Sequence, residues 1–350
     1  MKRLILQWHI TARCNKRCKH CYQEDYSGEE FTIEKLKELG SQYLELLYEY
    51  NKNCNEKIKG QINITGGEPF IREDIWELLD FFKKNADYFN FGILTNGSLL
   101  NEENVIRLKS YNPKMVQVSL DGSKKVHDEI RGANSYNEVI KALKLLRKYN
   151  IKSLVSFTAN NKNYKEFKNV VKAAKKCKAY KVWTDRMVPI GSGNCGEIKT
   201  LSKKEVVEYI NIIRKEQLNV LNKFTKTKIS GERSLQFLNG ISECYKCSAA
   251  DGLVVLLENG DVMPCRRLPI VAGNIQNSDL KEIYFNSKVF KDLRDFKEKP
   301  KGCTKCNFFN LCKGGAKCIA YGVYGDYKIG DYGCILKNEE CGLDDICHNT

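Results

Sequence analysis

The sequence predicts an α/β fold built on a parallel sheet, and three observations predict it. Apolar, β-branched segments recur six times, amphipathic helical patterns separate them, and the chemically unusual residues fall just after the strands.

The first strand is read over Leu4 to Thr11, an apolar run behind a short basic N-terminus. It is not a signal peptide, because Arg13 and the cysteines follow at once and no small-residue cleavage site is present. A helical pattern over Ile33 to Tyr50 leads to a second strand, Gln61 to Thr65, and one over Ile75 to Lys84 leads to a third, Phe91 to Thr95. Three further helices, Glu102 to Leu108, Tyr136 to Tyr149 and Tyr164 to Lys175, alternate with strands Met115 to Leu120, Ser153 to Ala159 and Lys181 to Pro189. This alternation fits a doubly wound sheet or a complete or partial barrel, and either places the chemistry at the C-terminal strand ends. Cys14, Cys18 and Cys21 follow strand one, Gly66 to Pro69 follow strand two, Asn96 and Gly97 follow strand three, and Asp121 and Gly122 follow strand four. Arg186 lies within strand six.

After Pro189 the character changes to a Gly-rich turn, Gly191 to Gly196, and then a polar helical stretch from Lys203 to about Lys223. From Cys244 onward the chain lacks long helical patterns and is dense in Cys and Gly. The expected organisation is a catalytic core over 1–200, a helical bridge over 201–240 and a Cys-rich domain over 241–350. Ten of the sixteen cysteines lie at or after Cys244, so that last segment is expected to depend on metal for its fold.

At 350 residues there is ample surface to bury a core, and no apolar run approaches the roughly 18 residues a membrane helix needs. No membrane partner is expected. Sixteen cysteines without a secretory signal point to a reducing cytoplasm and to metal binding rather than disulfides. The net charge of +15 comes from dispersed lysines rather than one basic block, so nucleic acid is not an expected partner.

Cys14-x3-Cys18-x2-Cys21 puts three thiolates on one short loop. A structural zinc site or a complete four-iron site takes four ligands, so three leave one iron open to an outside ligand. Zinc would need His20 or a distant residue as the fourth. Glycines at 66 and 67 allow close backbone approach to a ligand, and Glu68 can accept hydrogen bonds from a cationic amine. Ser119 and Asp121 can bond hydroxyl groups, and Arg131 can hold a carboxylate bidentately.

The C-x3-C-x2-C loop after the first strand, with Gly66-Gly67-Glu68-Pro69 after the second, resembles the radical S-adenosylmethionine (SAM) superfamily. The resemblance implies a partial (β/α)6 TIM-like barrel in which SAM chelates the open iron and is cleaved to a 5'-deoxyadenosyl radical. It implies SAM contacts from Gly66, Gly67, Glu68, Pro69, Ser119, Asp121 and Arg131, and sets His20 where the family usually has an aromatic residue near adenine. The stretch Asp185 to Gly191 resembles peptide maturases, with Arg186 supporting SAM or the substrate backbone.

A second field of cysteines, Cys244-x2-Cys247, Cys265, Cys303-x2-Cys306-x5-Cys312-x5-Cys318 and Cys334, resembles the SPASM iron-sulfur domain of peptide- and protein-modifying enzymes. That resemblance implies two auxiliary 4Fe-4S clusters, one on Cys244, Cys247, Cys265 and Cys318 and the other on Cys303, Cys306, Cys312 and Cys334. With the SAM-binding cluster this makes three. The usual spacing after Cys312 is three residues, where this chain has Ala316, so the ligand is read as displaced to Cys318. Cys54, Cys177 and Cys195 have no partner pattern, and Cys341 and Cys347 lie beyond it.

The expected activity is maturation of a ribosomally made precursor peptide by hydrogen abstraction, forming a thioether or other cross-link, with flavodoxin or ferredoxin as reductant. Leader recognition is expected to use the barrel rim, the SPASM surface or a separate protein, because the first strand begins close to Met1. Three alternatives are sulfatase maturation, cofactor biosynthesis from a peptide or tetrapyrrole, and an electron carrier. Sulfatase maturases are expected to carry an acidic base after the cysteine matched by Cys265, where this chain has Arg266 and Arg267, and arginine is no base near neutral pH.

Overall fold

A computed structural model of the chain describes residues 3–55, 57–194, 196–219, 225–231, 235, 238, 247–295 and 298–336. The alternating segments form β1 (Ile5–His9), α1 (Ile33–Cys54), β2 (Gly60–Thr65), α2 (Ile75–Lys84), β3 (Phe89–Thr95), α3 (Glu102–Lys109) and β4 (Met115–Ser119). They continue as α4 (Lys124–Arg131), α5 (Ser135–Lys148), β5 (Ser153–Ala159), α6 (Phe167–Lys176), β6 (Lys181–Arg186) and α7 (Lys203–Leu218). Short strands follow: β7 (Lys228–Ser230), β8 (Leu253–Leu256), β9 (Asp261–Met263) and β10 (Gly273–Asn274).

Among the described residues all strands belong to one sheet of order β10-β9-β8-β1-β2-β3-β4-β5-β6-β7, parallel from β8 to β7. Its edges come from beyond residue 200. Strand β7 extends the β6 side, and β8 pairs with β1 in register Ile5↔Leu253 to Trp8↔Leu256. The expected Cys-rich region thus contributes strands to the same sheet as the expected catalytic core.

Alternate side chains decide the layers. Leu6, Trp8, Ile62, Ile64, Ile93, Val116, Val118, Val155 and Val182 are fully buried in the core shared with Leu36, Leu39, Tyr43 and Leu46 of α1 and the apolar faces of the later helices. Each such side chain contributes about 1.5–3 kcal/mol of transfer free energy. The opposite face carries Gln7, Gln61, Asn63, Asn90, Gln117, Ser119 and Thr158, all half-buried.

Two contacts across that second face show how strongly the sheet curves. Arg266 stacks on the ring of Tyr22, which follows β1, while its neighbour Arg267 pairs with Asp185 on β6. Strands β1 and β6 are five ladder steps apart, about 24 Å in a flat sheet. Consecutive residues reach both sides because the sheet wraps into a partial barrel with the polar face inward.

Candidate active site

Strand β1 stops at His9, and residues 10–23 form an irregular loop pinned from three sides. After β2, the amides of Gly67 and Glu68 donate to the carbonyls of Thr11 and Arg13, each at 2.9 Å. A Cβ on Gly67 would overlap the Arg13 carbonyl oxygen, and one on Gly66 that of Thr11, with Gly66 also at φ +143°. These glycines therefore let the turn after β2 close onto the cysteine loop itself. In the last turn of α4, the carbonyl of Ile130 receives the amide of Lys19 at 3.0 Å. After β6, the turn Gly191–Asn194 presses on Tyr22, its Gly193 amide donates to the Cys21 carbonyl at 3.0 Å, and Ser192 Oγ donates to the Gln23 carbonyl at 3.0 Å.

The loop holds three half-buried thiols in a donor-rich setting. The amide of Lys16 approaches Cys14 Sγ at 3.4 Å, that of Gln23 approaches Cys21 Sγ at 3.4 Å, and Arg131 Nη1 lies 3.7 Å from Cys18 Sγ. Asn96 Nδ2 is 3.9 Å from Cys14 Sγ and is steadied by Asn15 Oδ1 at 2.9 Å. Burial pushes the Cys14 thiol up to about 11 and raises that of Cys18, so these groups become thiolates when a cation supplies the compensating charge. Three soft donors with N–H groups aimed at the sulfurs fit an iron-sulfur cluster with one iron left for another ligand. His20, the nearby residue that could complete a zinc site, has its Nε2 engaged by Asp121.

Asp121 is fully buried beyond the end of β4 and takes three donors. Thr158 N donates to Oδ1 at 2.9 Å, while Oδ2 receives His20 Nε2 at 2.9 Å and Arg131 Nε. Burial alone would raise this carboxyl, but the Arg131 guanidinium and His20 hold it well below the usual carboxylate range. Asp121 therefore aims Arg131 and His20, and its oxygens are turned toward protein rather than toward a ribose. His20 Nδ1 is buried without a partner, an orphaned polar atom that a ligand beside the cluster loop would satisfy. Ser119 lies on the inner face two residues before Asp121, and Pro69 opens the short turn Pro69–Ile71.

Glu68, completely buried, accepts from Thr95 Oγ1 and Asn96 N at 2.8 Å and from Phe70 N at 3.3 Å. Burial pushes its pKa up to about 7. Its carboxylate knits the turns after β2 and β3 together, so the motif meets the loop through the backbone of Gly66, Gly67 and Glu68.

Arg186 is not gathered with His20, Asp121 and Arg131. It forms a bidentate pair with Asp331, Nη1 to Oδ1 at 2.9 Å and Nη2 to Oδ2 at 2.5 Å. Asp331 also accepts from Ala316 N at 2.8 Å and Gly333 N at 2.9 Å. The sequence reading missed Asp331, since a single acid in a Cys- and Gly-rich stretch follows no pattern; its only signal is proximity to Cys334.

Cys303, Cys312, Cys318 and Cys334 lie around this pair. Cys312 is pushed up to about 12, first by burial and then by Asp331, Cys334 and Cys303, which face it together. The Cys306 amide donates to the Cys303 carbonyl at 3.1 Å, so Cys306 belongs to the same turn. Cys318, on the helix Lys317–Tyr324, is buried beside Arg186. Cys247 and Cys303 both act on the half-buried ammonium of Lys317, and Cys265 starts a tight turn closed by the Leu268 amide at 2.9 Å. Cys244, Cys195, Cys341 and Cys347 lie outside the described residues.

Residues 8–174 match the radical SAM superfamily, and residues 247–307 match SPASM, an iron-sulfur cluster-binding domain. The AdoMet-dependent heme synthase of Methanosarcina barkeri is 25% identical over 350 residues, covering 95% of this chain and 96% of that one. Mycofactocin maturase MftC of Mycobacterium tuberculosis is 26% identical over 329 residues, covering 91% and 78%. Among solved structures, anSMEcpe with bound AdoMet and Cp18Cys peptide superposes with a TM-score of 0.75 at 20% identity, covering 95% and 94%. Streptococcus suis SuiB bound to the precursor peptide SuiA gives 0.73 at 17% identity, covering 96% and 76%. With the radical SAM match spanning the first cysteine loop and the SPASM match spanning Cys247 to Cys306 of the second field, the chain belongs to the radical SAM enzymes that carry a C-terminal SPASM domain.

Proposed function

We propose that this enzyme matures a ribosomally synthesised peptide by abstracting hydrogen from a residue inside the barrel, forming a thioether or other cross-link. The observation that carries this reading is the inner face of the sheet. Gln7, Gln61, Asn63, Asn90, Gln117, Ser119 and Thr158 offer amides and hydroxyls that match the alternating donors and acceptors of a peptide backbone. The peptide complexes of anSMEcpe and SuiB support it, as does the likeness to a mycofactocin maturase.

In this reading Cys14, Cys18 and Cys21 would hold a 4Fe-4S cluster, which when bound would leave one iron for SAM and supply the electron for its cleavage. The chain's own residues do the orienting. Arg131, aimed by Asp121, receives the SAM carboxylate, His20 Nδ1 faces the nucleoside, and the Gly66 to Pro69 backbone accepts the amine. Two auxiliary clusters would be held by Cys244, Cys247, Cys265 and Cys318, and by Cys303, Cys306, Cys312 and Cys334. A flavodoxin or ferredoxin supplies electrons, in the cytoplasm.

A second reading has a specific observation behind it: heme synthases match 95% of the chain, which supports a tetrapyrrole substrate. Coexpression with a short Cys-rich precursor encoded beside the gene separates the two. A peptide lighter by two hydrogen atoms in mass spectrometry is the expected result; an unchanged peptide together with conversion of an added porphyrin favours the second reading.

A further inference from the structure

We propose that the turn after Cys265 presents Arg266 inside the barrel as a receptor for a carboxylate of the substrate, beside the third cysteine of the cluster loop. The inference rests on the reading that a substrate enters the barrel, and it names the chemistry that the barrel grips.

The turn is tight, with Cys265 bridged to Leu268, so Arg266 and Arg267 project from its tip. The two arginines have different surroundings. Arg267 is paired with Asp185 of β6. Among the described residues no acidic side chain forms an ion pair with Arg266. Its guanidinium carbon lies 4.6 Å from the ring centroid of Tyr22, the residue immediately after Cys21, and its Nε is buried without a hydrogen-bond partner.

A second orphan lies in the same place. His9 is almost completely buried at the C-terminal end of β1, its ring meets Tyr22 edge-on at 6.0 Å, and its Nε2 is buried without a partner. A half-buried guanidinium stacked on an aromatic ring, with its Nε shut off from water, still needs acceptors in its own plane. A carboxylate matches those donors in number and plane, and the ring of Tyr22 holds the guanidinium flat for it. Glu258 is the nearby acid: burial raises its pKa overall, and the charge of Arg266 lowers it without a hydrogen bond joining Glu258 to the orphaned Arg266 Nε. An anion held by Arg266 therefore lies against Tyr22, next to the cluster loop. The carboxylate has two sources, an acidic or C-terminal residue of a peptide, or the propionate arms of a porphyrin.

The test uses the full chain, reconstituted without oxygen, and phenylglyoxal as an arginine-selective label. Peptide mapping follows Arg266, with exposed Arg147 as internal standard. Acetyl-Glu-Glu-Glu-amide or coproporphyrin III is expected to slow labelling of Arg266 about tenfold relative to Arg147, a difference of the size one bidentate contact supplies. Acetyl-Gln-Gln-Gln-amide is expected to leave it unchanged. Protection by the acidic peptide, with or without protection by the porphyrin, supports both the site and the peptide reading. Protection by the porphyrin alone supports the site and counts against the peptide reading. Protection by the neutral peptide as strong as by the acidic probes, or none by any probe, overturns the carboxylate site and leaves the maturase reading to its own mass measurement. Arg266→Gln is expected to weaken binding of the protecting probe about tenfold, and the labelling result stands without it if the variant does not fold.

Discussion

Arg186 at the end of β6 and Asp331 in the C-terminal cysteine field share a buried bidentate ion pair, 2.9 and 2.5 Å long, that fastens the auxiliary loops to the barrel. Gly333 packs so closely on it that a Cβ there would lie 2.5 Å from Arg186 Nη1. Removing one partner of such a pair strands the other charge and costs about 3–5 kcal/mol. Asp331→Ala is therefore expected to lower the thermal midpoint and to lose auxiliary iron. The double change Arg186→Met with Asp331→Leu is expected to recover part of the stability. Calorimetry with iron analysis checks both, and an Asp331→Ala protein with the parent's midpoint and iron content would contradict the assignment.

Gly67→Ala places a methyl group 2.6 Å from the Ala12 carbonyl oxygen and closer still to that of Arg13, both backbone atoms that cannot rotate away. The cysteine loop must shift, so the variant is expected to lose the N-terminal cluster, about four irons, while keeping the auxiliary ones. Gly28→Ala meets only the Ala12 methyl at 3.7 Å and serves as a neutral control. Iron and sulfide assays on the two proteins decide the matter.

With three four-iron clusters, anaerobic reconstitution is expected to give about twelve irons per chain, and the triple Cys14, Cys18, Cys21 to Ala variant about eight. The triple variant is expected to release no 5'-deoxyadenosine from SAM with dithionite. A parent chain holding about four irons would remove the auxiliary clusters.

His127 gives the fold a dependence on pH. Its Nδ1 accepts the Asp121 amide at 3.0 Å, which requires the neutral ring. Burial first, and Arg131 second, lower its pKa from 6.5 to about 4. Because the folded value is the depressed one, its contribution is present above 6.5 and is lost as pH falls toward about 4. Denaturant midpoints at about pH 7 and about pH 5 are expected to differ less for His127→Gln than for the parent. An identical acid loss in both proteins would assign the effect to other groups.

The strand and helix alternation was legible because each segment carries its own period, and the observed strands β2, β4 and β5 differ from the reading by no more than a residue at either end. Helix α4 was not read, since only Val126 and Ile130 mark its apolar side and its buried partner is a histidine. The cysteine loop was legible from spacing. What clamps it was not, because Gly66 and Gly67 were read as making room for a ligand, whereas the nearest atoms are carbonyls of the chain itself. Asp121 and Glu68 carry the same lesson: their partners Thr158, Thr95 and Asn96 come from the neighbouring strands and Arg131 from the end of α4, so only the assembled sheet and helix bring them together. The pairing of β8 with β1 has no local signature at all.

That pairing also sets an order of events during synthesis. Strand β1 leaves the ribosome long before β8, so one of its two edges stays open until Leu253–Leu256 has been made. A nascent chain halted short of that point exposes the backbone of an apolar strand, an invitation to join with a neighbour. Production of the N-terminal half alone is thus a route to insoluble material, and the auxiliary region serves as a tailored cover for the strand that carries the cysteine loop.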